Sequence, residues 1–304
     1  MRGGEREARI ERSKYSRIEP WLYLSPFLIG IALFTLYPIV NVFMISFQEN
    51  YSYLSRSFSG VGLANYRAVL SDRNFFGSIR NTFVYVLTVV PISTAIALVV
   101  ANLLNQKLKA TALFQTAYFL PMVTSVTAVG LSWRFMFHTR FGVINYLLSL
   151  FGAAPIGWLD KPAYNMTALA IYGIWNVLPF TIILLISGLQ NVNPLYYTAA
   201  RVDGAKGGRV FLRITIPLLA PTIGLVLIIN SISSFKVFNE LFPLFKGNPG
   251  PVYNLYTLVF FIYEKMNGQP PKLGQSAAAA IALFVIILIF TMVQLLIQRK
   301  WKHY

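Results

Sequence analysis

Six long apolar segments constrain this chain more than any other feature of its sequence. Crossing the hydrocarbon core of a bilayer as a helix takes about 20 predominantly apolar residues. Each of the six segments reaches that length with few or no charged side chains. The pattern predicts an all-α membrane protein with six transmembrane helices at Trp21–Phe47, Thr82–Leu104, Ala112–Trp133, Met166–Leu189, Ile216–Phe238 and Ser276–Ile297.

The bulk composition agrees with a membrane location. Hydrophobic residues make up 56% of the 304 residues and charged residues 12%, against roughly 45–50% and about 25% in an average soluble domain. A soluble core could not hide this much apolar surface, so the excess is expected to face lipid or other buried helices. The chain has no cysteine, which excludes disulfides and thiolate metal sites, and its two histidines, His138 and His303, are far apart.

Two features inside the predicted spans favour packing between membrane helices. Several spans contain proline, including Pro91 and Pro179, which membrane helices accept because neighbouring helices satisfy the freed carbonyl groups. The sixth span opens with Ser276 followed by four alanines. Small residues let helix backbones approach closely, so this segment is predicted to form a helix–helix contact.

The basic residues predict the orientation of the chain. If the N-terminus is cytosolic, the inside segments hold fifteen Lys and Arg, and the longer outside segments hold ten. Cytoplasmic segments are enriched in Lys and Arg, so both termini are expected inside, and the net charge of +16 reflects topology rather than nucleic-acid binding. The inside segments are 1–20, 105–111, 190–215 and 298–304, and the outside segments are 48–81, 134–165 and 239–275.

The predicted organisation is a cytosolic tail at 1–20, a membrane domain at 21–297 and a second cytosolic tail at 298–304. No P-loop is present, because the glycines and lysine of 204–210 lack its spacing. Glu240 and Glu264 are the nearest candidates for a carboxylate pair, and both fall in a loop. The chain is therefore not expected to be an enzyme by itself, nor to bind a metal or cofactor.

The cytosolic loop between the fourth and fifth spans, 190–217, carries the most informative pattern. Asn193 can cap a helix whose first turn suits Pro194. Gly204 permits a left-handed turn or a close approach by another surface. Helical character is predicted to resume after Gly208 and to enter the membrane at Pro217. A short helix, a glycine turn and a second helix predict a compact projection to which a partner could bind.

This loop resembles the Glu-Ala-Ala loop of the carbohydrate permeases of ABC importers, the maltose and glycerol-3-phosphate permease-like family. That pattern reads Glu-Ala-Ala, three residues, Gly, nine residues, Ile-x-Leu-Pro. The matching residues here are Ala199, Ala200, Gly204, Ile214 and Pro217, and Asp203-Gly204-Ala205 also agrees with the family. Thr198 replaces the glutamate, and Ile216 replaces the leucine conservatively. In the family that glutamate commonly helps to bind the ATPase subunit, so the resemblance does not extend to this ion pair. The expected coupling residues are Tyr197, Thr198, Ala199, Ala200, Asp203, Gly204, Ala205 and Pro217.

Softer matches extend the resemblance along the chain. The segments around Asn65-Tyr66-Arg67, around Phe235–Asn239 and around Gly247–Pro251 are similar to external regions of the same permeases. The resemblance implies the type I ABC-importer permease fold in a bacterial or archaeal cytoplasmic membrane. It also implies a second permease subunit, two cytosolic ATPase subunits that use ATP and Mg, and an external solute-binding protein.

A sugar site needs polar groups that match hydroxyls, and aromatic faces, within the bundle. On the fifth span Asn230, Ser233 and Ser234 share one helical face, and polar groups are costly against lipid. In the maltose permease branch of the family, sugar contacts come from matching positions, Phe180 included. Val177 and Val237 replace smaller or more polar residues there, which argues against an identical sugar pose. The predicted substrate residues are Tyr172, Trp175, Asn176, Phe180, Asn230, Ser233 and Ser234.

Other interpretations stay open from the sequence. The polar side chains of the fifth span could simply hydrogen-bond neighbouring helices. An ion-coupled secondary transporter is the alternative function; it would favour buried carboxylates or an inverted repeat, and neither is evident. A membrane scaffold without transport is a third. Aromatic and amide groups without a dense basic cluster favour a neutral carbohydrate as the substrate.

Overall fold

The structure, a computed structural model, describes residues 19–105, 116, 120–250 and 252–301. Helices dominate these ranges, and the described part holds one small sheet, an antiparallel pair of β1 (Gln48–Glu49) and β2 (Gly60–Val61) with Gln48 opposite Val61. The helices, in chain order, are α1 (Glu19–Phe47), α2 (Ala64–Leu70), α3 (Arg73–Leu104), α4 (Val126–Met136), α5 (Val143–Leu150), α6 (Pro162–Gln190), α7 (Pro194–Val202), α8 (Gly207–Leu218), α9 (Ala220–Phe235), α10 (Leu241–Phe245), α11 (Leu258–Asn267) and α12 (Leu273–Trp301).

Four of these helices, α1, α3, α6 and α12, are long and apolar enough to cross a membrane, and the bent pair α8 and α9 counts as a fifth. They contain the first, second, fourth and sixth predicted spans. Helix α3 begins nine residues before the predicted Thr82, at Arg73, where Asp72 accepts a hydrogen bond from the backbone N–H of Asn74. The sequence prediction of a mostly helical membrane protein is confirmed at this level.

The third predicted span, Ala112–Trp133, differs where it can be compared. Its first part lies largely outside the described residues. In the described part, helical residues 120–123 end at a bend, and α4 starts afresh at Val126 after extended backbone at Ser125. The Thr124 hydroxyl donates to the carbonyl of Leu120, 2.7 Å away, a local bond that competes with helical pairing. The prediction of one uninterrupted helix ending at Trp133 is therefore wrong.

The fifth predicted span, Ile216–Phe238, is also wrong in its bounds. The chain bends by 70° at Leu219, between α8 and α9. Pro217 therefore belongs to α8, before the bend, and does not mark the start of the straight helix α9. Pro221 has no N–H to donate to the carbonyl four residues earlier, and its ring crowds that carbonyl. The straight helix then ends at Phe235, which leaves Lys236, expected inside the span, exposed beyond its end.

The core lies where α3, α6 and α9 pack together, with α11 and α12 against them. Two glycines set the closeness of this packing. A side chain at Gly173 on α6 would collide with the Tyr85 ring of α3. A Cβ at Gly188 would lie 2.7 Å from the Thr222 hydroxyl of α9. Three of the four alanines after Ser276 are buried, which agrees with the predicted helix–helix contact, and the Ser276 hydroxyl donates to the carbonyl of Ile262 at 2.9 Å.

Helix α1 contacts the rest of the chain mainly near its end. None of its most apolar 18-residue window is buried, whereas Ser46 is fully buried. The Asn65 amide donates to the carbonyls of Ser46 and Gln48, and the Tyr66 hydroxyl lies 2.7 Å from that of Ser46. The Asn65-Tyr66 pair therefore fixes the end of α1 against α2.

Candidate functional site

The loop between α6 and α9 folds as the sequence predicted. The Asn193 side chain accepts a hydrogen bond from the N–H of Leu195 at 3.0 Å, and Pro194 occupies the first turn of α7. Gly204 has φ +68°, a conformation that costs other L-residues about 1–2 kcal/mol. Backbone bonds from Gly204 to Arg201 and from Ala205 to Ala200 close the turn. The helix, glycine turn and second helix are confirmed.

The surface of this loop is open. Of the expected coupling residues only Ala200 is buried, while Thr198, Ala199, Asp203 and Gly204 are exposed. A Cβ built at Gly204 meets nothing within 4 Å. Helices α7 and α8 also expose large apolar side chains that are not among the expected coupling residues. They are Leu195, Tyr196, Val202 and Leu212, which are 70%, 54%, 83% and 64% exposed.

Large exposed apolar patches commonly mark protein-interaction sites, and these four side chains all belong to α7 and α8. The sequence alone gave no signal for these residues, since the structure decides which apolar side chains of a short helix stay uncovered. We call α7, Gly204 and α8 together the coupling projection.

The coupling projection is tied to α9 by its own contacts. The Thr215 hydroxyl of α8 donates to the Tyr197 hydroxyl of α7 at 3.4 Å, and Thr215 is 1% exposed. Residues Phe211–Thr215 form a π-helical turn, a feature common at functional positions. Beyond it Leu219, 1% exposed, anchors the bend against the core. Helix α7 is thus connected to α9 through Thr215 of α8 and the buried Leu219 at the bend.

The structure separates the predicted substrate residues into two groups. Tyr172, Asn230 and Ser234 are buried, at 0%, 3% and 4% exposure. The Asn230 amide donates to the Thr181 hydroxyl of α6 at 2.9 Å, so this side chain joins two helices. The hydroxyls of Tyr172 and Ser234 have no hydrogen-bond partner within the described part of the chain. Asn230 and Ser233, placed on one face from sequence, thus differ in exposure.

The second group is accessible. Ser233 is exposed, Phe180 is 37% exposed, and Trp175 and Asn176 are half-buried. The half-buried Trp133 of α4, which the sequence reasoning missed, has its ring 5.4 Å from that of Trp175. Stacked or edge-packed aromatic faces next to an amide suit the apolar faces and hydroxyls of a sugar. Whether these residues contact substrate stays a prediction.

A further polar contact fixes α9 from the other side. The Gln294 amide of α12 donates to the Ser231 hydroxyl at 2.9 Å. Together with the Asn230–Thr181 bond, it holds α9 between α6 and α12 at one level of the bundle. A glutamine inside an apolar span was the sequence signal for this contact. Among the described residues no three His, Asp or Glu side chains lie close enough to hold a metal ion.

Comparison with known proteins gives consistent matches over nearly the whole chain. Residues 60–303 match the family described as "Binding-protein-dependent transport system inner membrane component". The chain is 31% identical over 279 residues to the trehalose/maltose transport system permease protein MalF of Thermococcus litoralis, which covers 92% of this chain and 93% of that protein. It is 32% identical over 286 residues to the arabinooligosaccharides transport system permease protein AraP of Bacillus subtilis, with 93% and 89% covered.

A solved structure shares the fold. It is described as a bacterial alginate ABC transporter in complex with an alginate pentasaccharide-bound periplasmic protein. The similarity has a TM-score of 0.82 with 21% sequence identity and covers 96% of this chain and 98% of the matched chain. At this level of sequence identity the similarity shows a shared fold and nothing further.

Proposed function

This chain belongs to the family of binding-protein-dependent transport system inner membrane components, and on that premise we propose that it carries a neutral carbohydrate through the cytoplasmic membrane of a bacterium or archaeon. It is one of two permease subunits of an ABC importer, and the second subunit is a different chain. A solute-binding protein delivers the sugar from outside. Two cytosolic ATPase subunits supply the energy by hydrolysing ATP with Mg, so that this chain itself performs no catalysis and holds no cofactor.

The coupling projection is the observation that carries this proposal. It exposes apolar side chains and an unobstructed Gly204 at one end of the bundle, which suits binding of an ATPase subunit. Thr198 leaves the projection without the carboxylate of the family pattern, so the contact relies on shape and apolar area. The bend at Leu219 turns a displacement of α7 and α8 into rotation of α9, which reorients the bundle between inward-facing and outward-facing states.

The proposed topology has six spans and both termini in the cytosol. Helices α1, α3, α6 and α12 and the bent α8–α9 pair supply five, and the sixth is the region of 112–133 together with α4. The basic residues of the coupling projection, Arg201, Lys206, Arg209 and Arg213, support its cytosolic placement. The opposite end, with the hairpin of β1 and β2, then faces the binding protein.

The proposed substrate path passes the accessible group of residues on α6 and α9. Trp133 and Trp175 offer aromatic faces, and Asn176 and Ser233 offer hydrogen bonds to hydroxyls. No Lys or Arg belongs to this set, which supports a neutral sugar. The two permease relatives named for trehalose/maltose and for arabinooligosaccharides support an oligosaccharide.

The test of ATPase binding is Gly204→Asp in the complete transporter. The new side chain adds charge, volume and backbone strain at the exposed turn, so we expect it to abolish copurification of the ATPase or to uncouple hydrolysis from transport. Gly152→Asp is the matched control, because Gly152 also has positive φ (+76°) and nothing within 4 Å but lies before α6, at the end away from the coupling projection. Transport by Gly204→Asp at the wild-type rate would refute the proposal.

The alternative of an ion-coupled carrier has a separate test. Uptake into cells is expected to require ATP and the binding protein and to continue after the ion gradients are collapsed with ionophores. Uptake that stops with the gradient while ATP remains available would favour the ion-coupled alternative. No observation among the described residues favours that alternative, because the buried polar groups of α6, α9 and α12 are amides and hydroxyls rather than carboxylates.

A further inference from the structure

A cavity of about 530 Å³ lies at the end of the bundle opposite the coupling projection. One wall is the exposed face of the first turns of α3, and the other walls are the start of α6 and the loop before α11. Helix α6 spans 29 residues between this cavity and α7, which at 1.5 Å per residue is about 44 Å. The cavity is therefore remote from the coupling projection.

The wall on α3 carries two arginines. Arg73, Gly77 and Arg80 follow one another at helical spacing, are all exposed and line the cavity. A Cβ built at Gly77 meets nothing within 4 Å, so the helix surface between these two arginines is uncovered. Among the described residues no Asp or Glu lines the cavity. The adjacent carboxylate of Asp72 is already bonded to the Lys265 ammonium at 2.7 Å and to the N–H of Asn74.

The two arginines, Arg73 and Arg80, lie where positive charge is unfavourable for two reasons. Arg73 is the first residue of α3, and cations are disfavoured at a helix N-terminus, where the backbone dipole is positive. In the proposed orientation both arginines also lie on the outer side of the membrane, which is normally poor in Lys and Arg. An anion between them would satisfy both guanidinium groups and interact favourably with the helix end.

The remaining walls are joined to each other and to α3 by hydrogen bonds. The Asn81 amide donates to the carbonyls of Tyr253 and Tyr256 at 3.0 and 3.2 Å, which fastens the loop to α3. The Asn254 amide donates to the carbonyl of Pro162 at 2.8 Å, which fastens the same loop to α6. The cavity is thus held open by hydrogen bonds between its own walls.

Below the arginines the same face of α3 becomes apolar. Val84 lines the cavity floor and is 44% exposed, and Leu87 on the next turn is 58% exposed. Both belong to a helix apolar enough to cross the membrane. A ligand in this position has its anionic group at the membrane boundary and an apolar part that continues along the helix.

We propose that this cavity binds the phosphate of an anionic phospholipid in the outer leaflet. The two guanidinium forks contact the phosphate oxygens, Asn74 faces the polar headgroup, and an acyl chain lies along Val84 and Leu87. The assignment to the outer leaflet rests on the proposed function, which sets the orientation. A bound lipid at this point would sit against both α3 and the start of α6, the helix that ends at the coupling projection.

The test uses the complete purified transporter and native mass spectrometry with phosphatidylglycerol, with zwitterionic phosphatidylcholine and with inorganic phosphate. The test variant is Arg73→Gln with Arg80→Gln. Loss of two charge-assisted contacts is expected to lower phosphatidylglycerol affinity by about tenfold or more. Arg140→Gln is the control, because Arg140 is exposed in the segment between α4 and α5 and does not line this cavity.

Selective loss of phosphatidylglycerol from the glutamine pair, with the control and phosphatidylcholine binding unchanged, supports the proposal. Arg73→Lys with Arg80→Lys retains the charge without the fork and is expected to bind with intermediate affinity. Equal phosphatidylglycerol binding by wild type and the glutamine pair would overturn the proposal, as would competition by free phosphate at equal affinity. ATPase copurification in the same samples reports on the proposed function separately.

Discussion

The hydrogen bond between Asn230 and Thr181 decides whether the polar face of α9 serves helix packing or substrate. Asn230 is 3% exposed, and its amide lies 2.9 Å from the Thr181 hydroxyl. Interhelical hydrogen bonds inside membranes contribute about 0.6 kcal/mol on average and up to about 1.7 kcal/mol. Thr181→Val removes the acceptor and leaves a buried amide unsatisfied, which costs about 1–3 kcal/mol.

A double-mutant cycle isolates the bond. Thr181→Val, Asn230→Leu and the double variant are unfolded in mixed micelles with increasing SDS, and the free energies are compared. We expect a coupling energy of about 0.6–1.7 kcal/mol, because the second substitution removes the group that the first one strands. Ser233→Ala is the matched control; that side chain is exposed and makes no hydrogen bond among the described residues, so stability should change by less than about 0.5 kcal/mol.

A transport assay separates the packing role from the substrate role. Ser233→Ala is expected to change the KM for sugar uptake. Thr181→Val and Asn230→Leu are expected to lower the free energy of unfolding. A coupling energy below about 0.3 kcal/mol, within the error of additivity, would refute the packing role. It would mean that the Asn230 amide is available to substrate in the working transporter.

Three further results are expected. Gly188→Ala, whose Cβ would lie 2.7 Å from a neighbouring hydroxyl, should destabilise the protein by about 1–3 kcal/mol in the same SDS titration, while Gly30→Ala, with nothing within 4 Å, should not destabilise it. Burial raises the pKa of Asp72, but hydrogen bonds from Lys265 and a backbone N–H outweigh it and hold that pKa below 3.8. Asp72→Asn should therefore lower stability at pH 7 by about 1 kcal/mol, and the difference from wild type should vanish as the pH falls through that lowered pKa; a difference independent of pH would contradict the ion pair. Thr198→Glu restores the family carboxylate at an exposed position and should strengthen ATPase copurification in salt-dependent fashion; no change would mean that the docked partner offers no cation there.

The coupling projection could be predicted from sequence almost completely. Its helix begins at Asn193-Pro194 and its turn lies at Gly204, as the residues indicated. These are local effects, because a side-chain cap, a proline in the first turn and a glycine at positive φ act within a few residues. What the sequence did not show is which apolar side chains of the loop stay uncovered, Leu195 and Val202 among them.

The substrate residues were less predictable. Helical spacing placed Asn230, Ser233 and Ser234 on one face, but the structure buries the first and last and exposes Ser233. Helix α9 lies between two other helices, and Thr181 of α6 selects Asn230 as its partner. Helical periodicity gives the direction in which a side chain points from its own helix. It does not tell which neighbouring helix or open space lies in that direction.

The sequence by itself determined that the chain is a membrane protein, which segments form four of its long apolar helices, and where the loop between α6 and α9 turns. Apolar length, charge distribution and turn chemistry are properties of short segments, so they survive without knowledge of the fold. Only the tertiary structure decided the 70° bend at Leu219, the break before Val126 and the division of the polar residues into packing and exposed groups. Each depends on contacts between segments distant in sequence or on how a local distortion is packed, and such contacts exist only once the helices have come together.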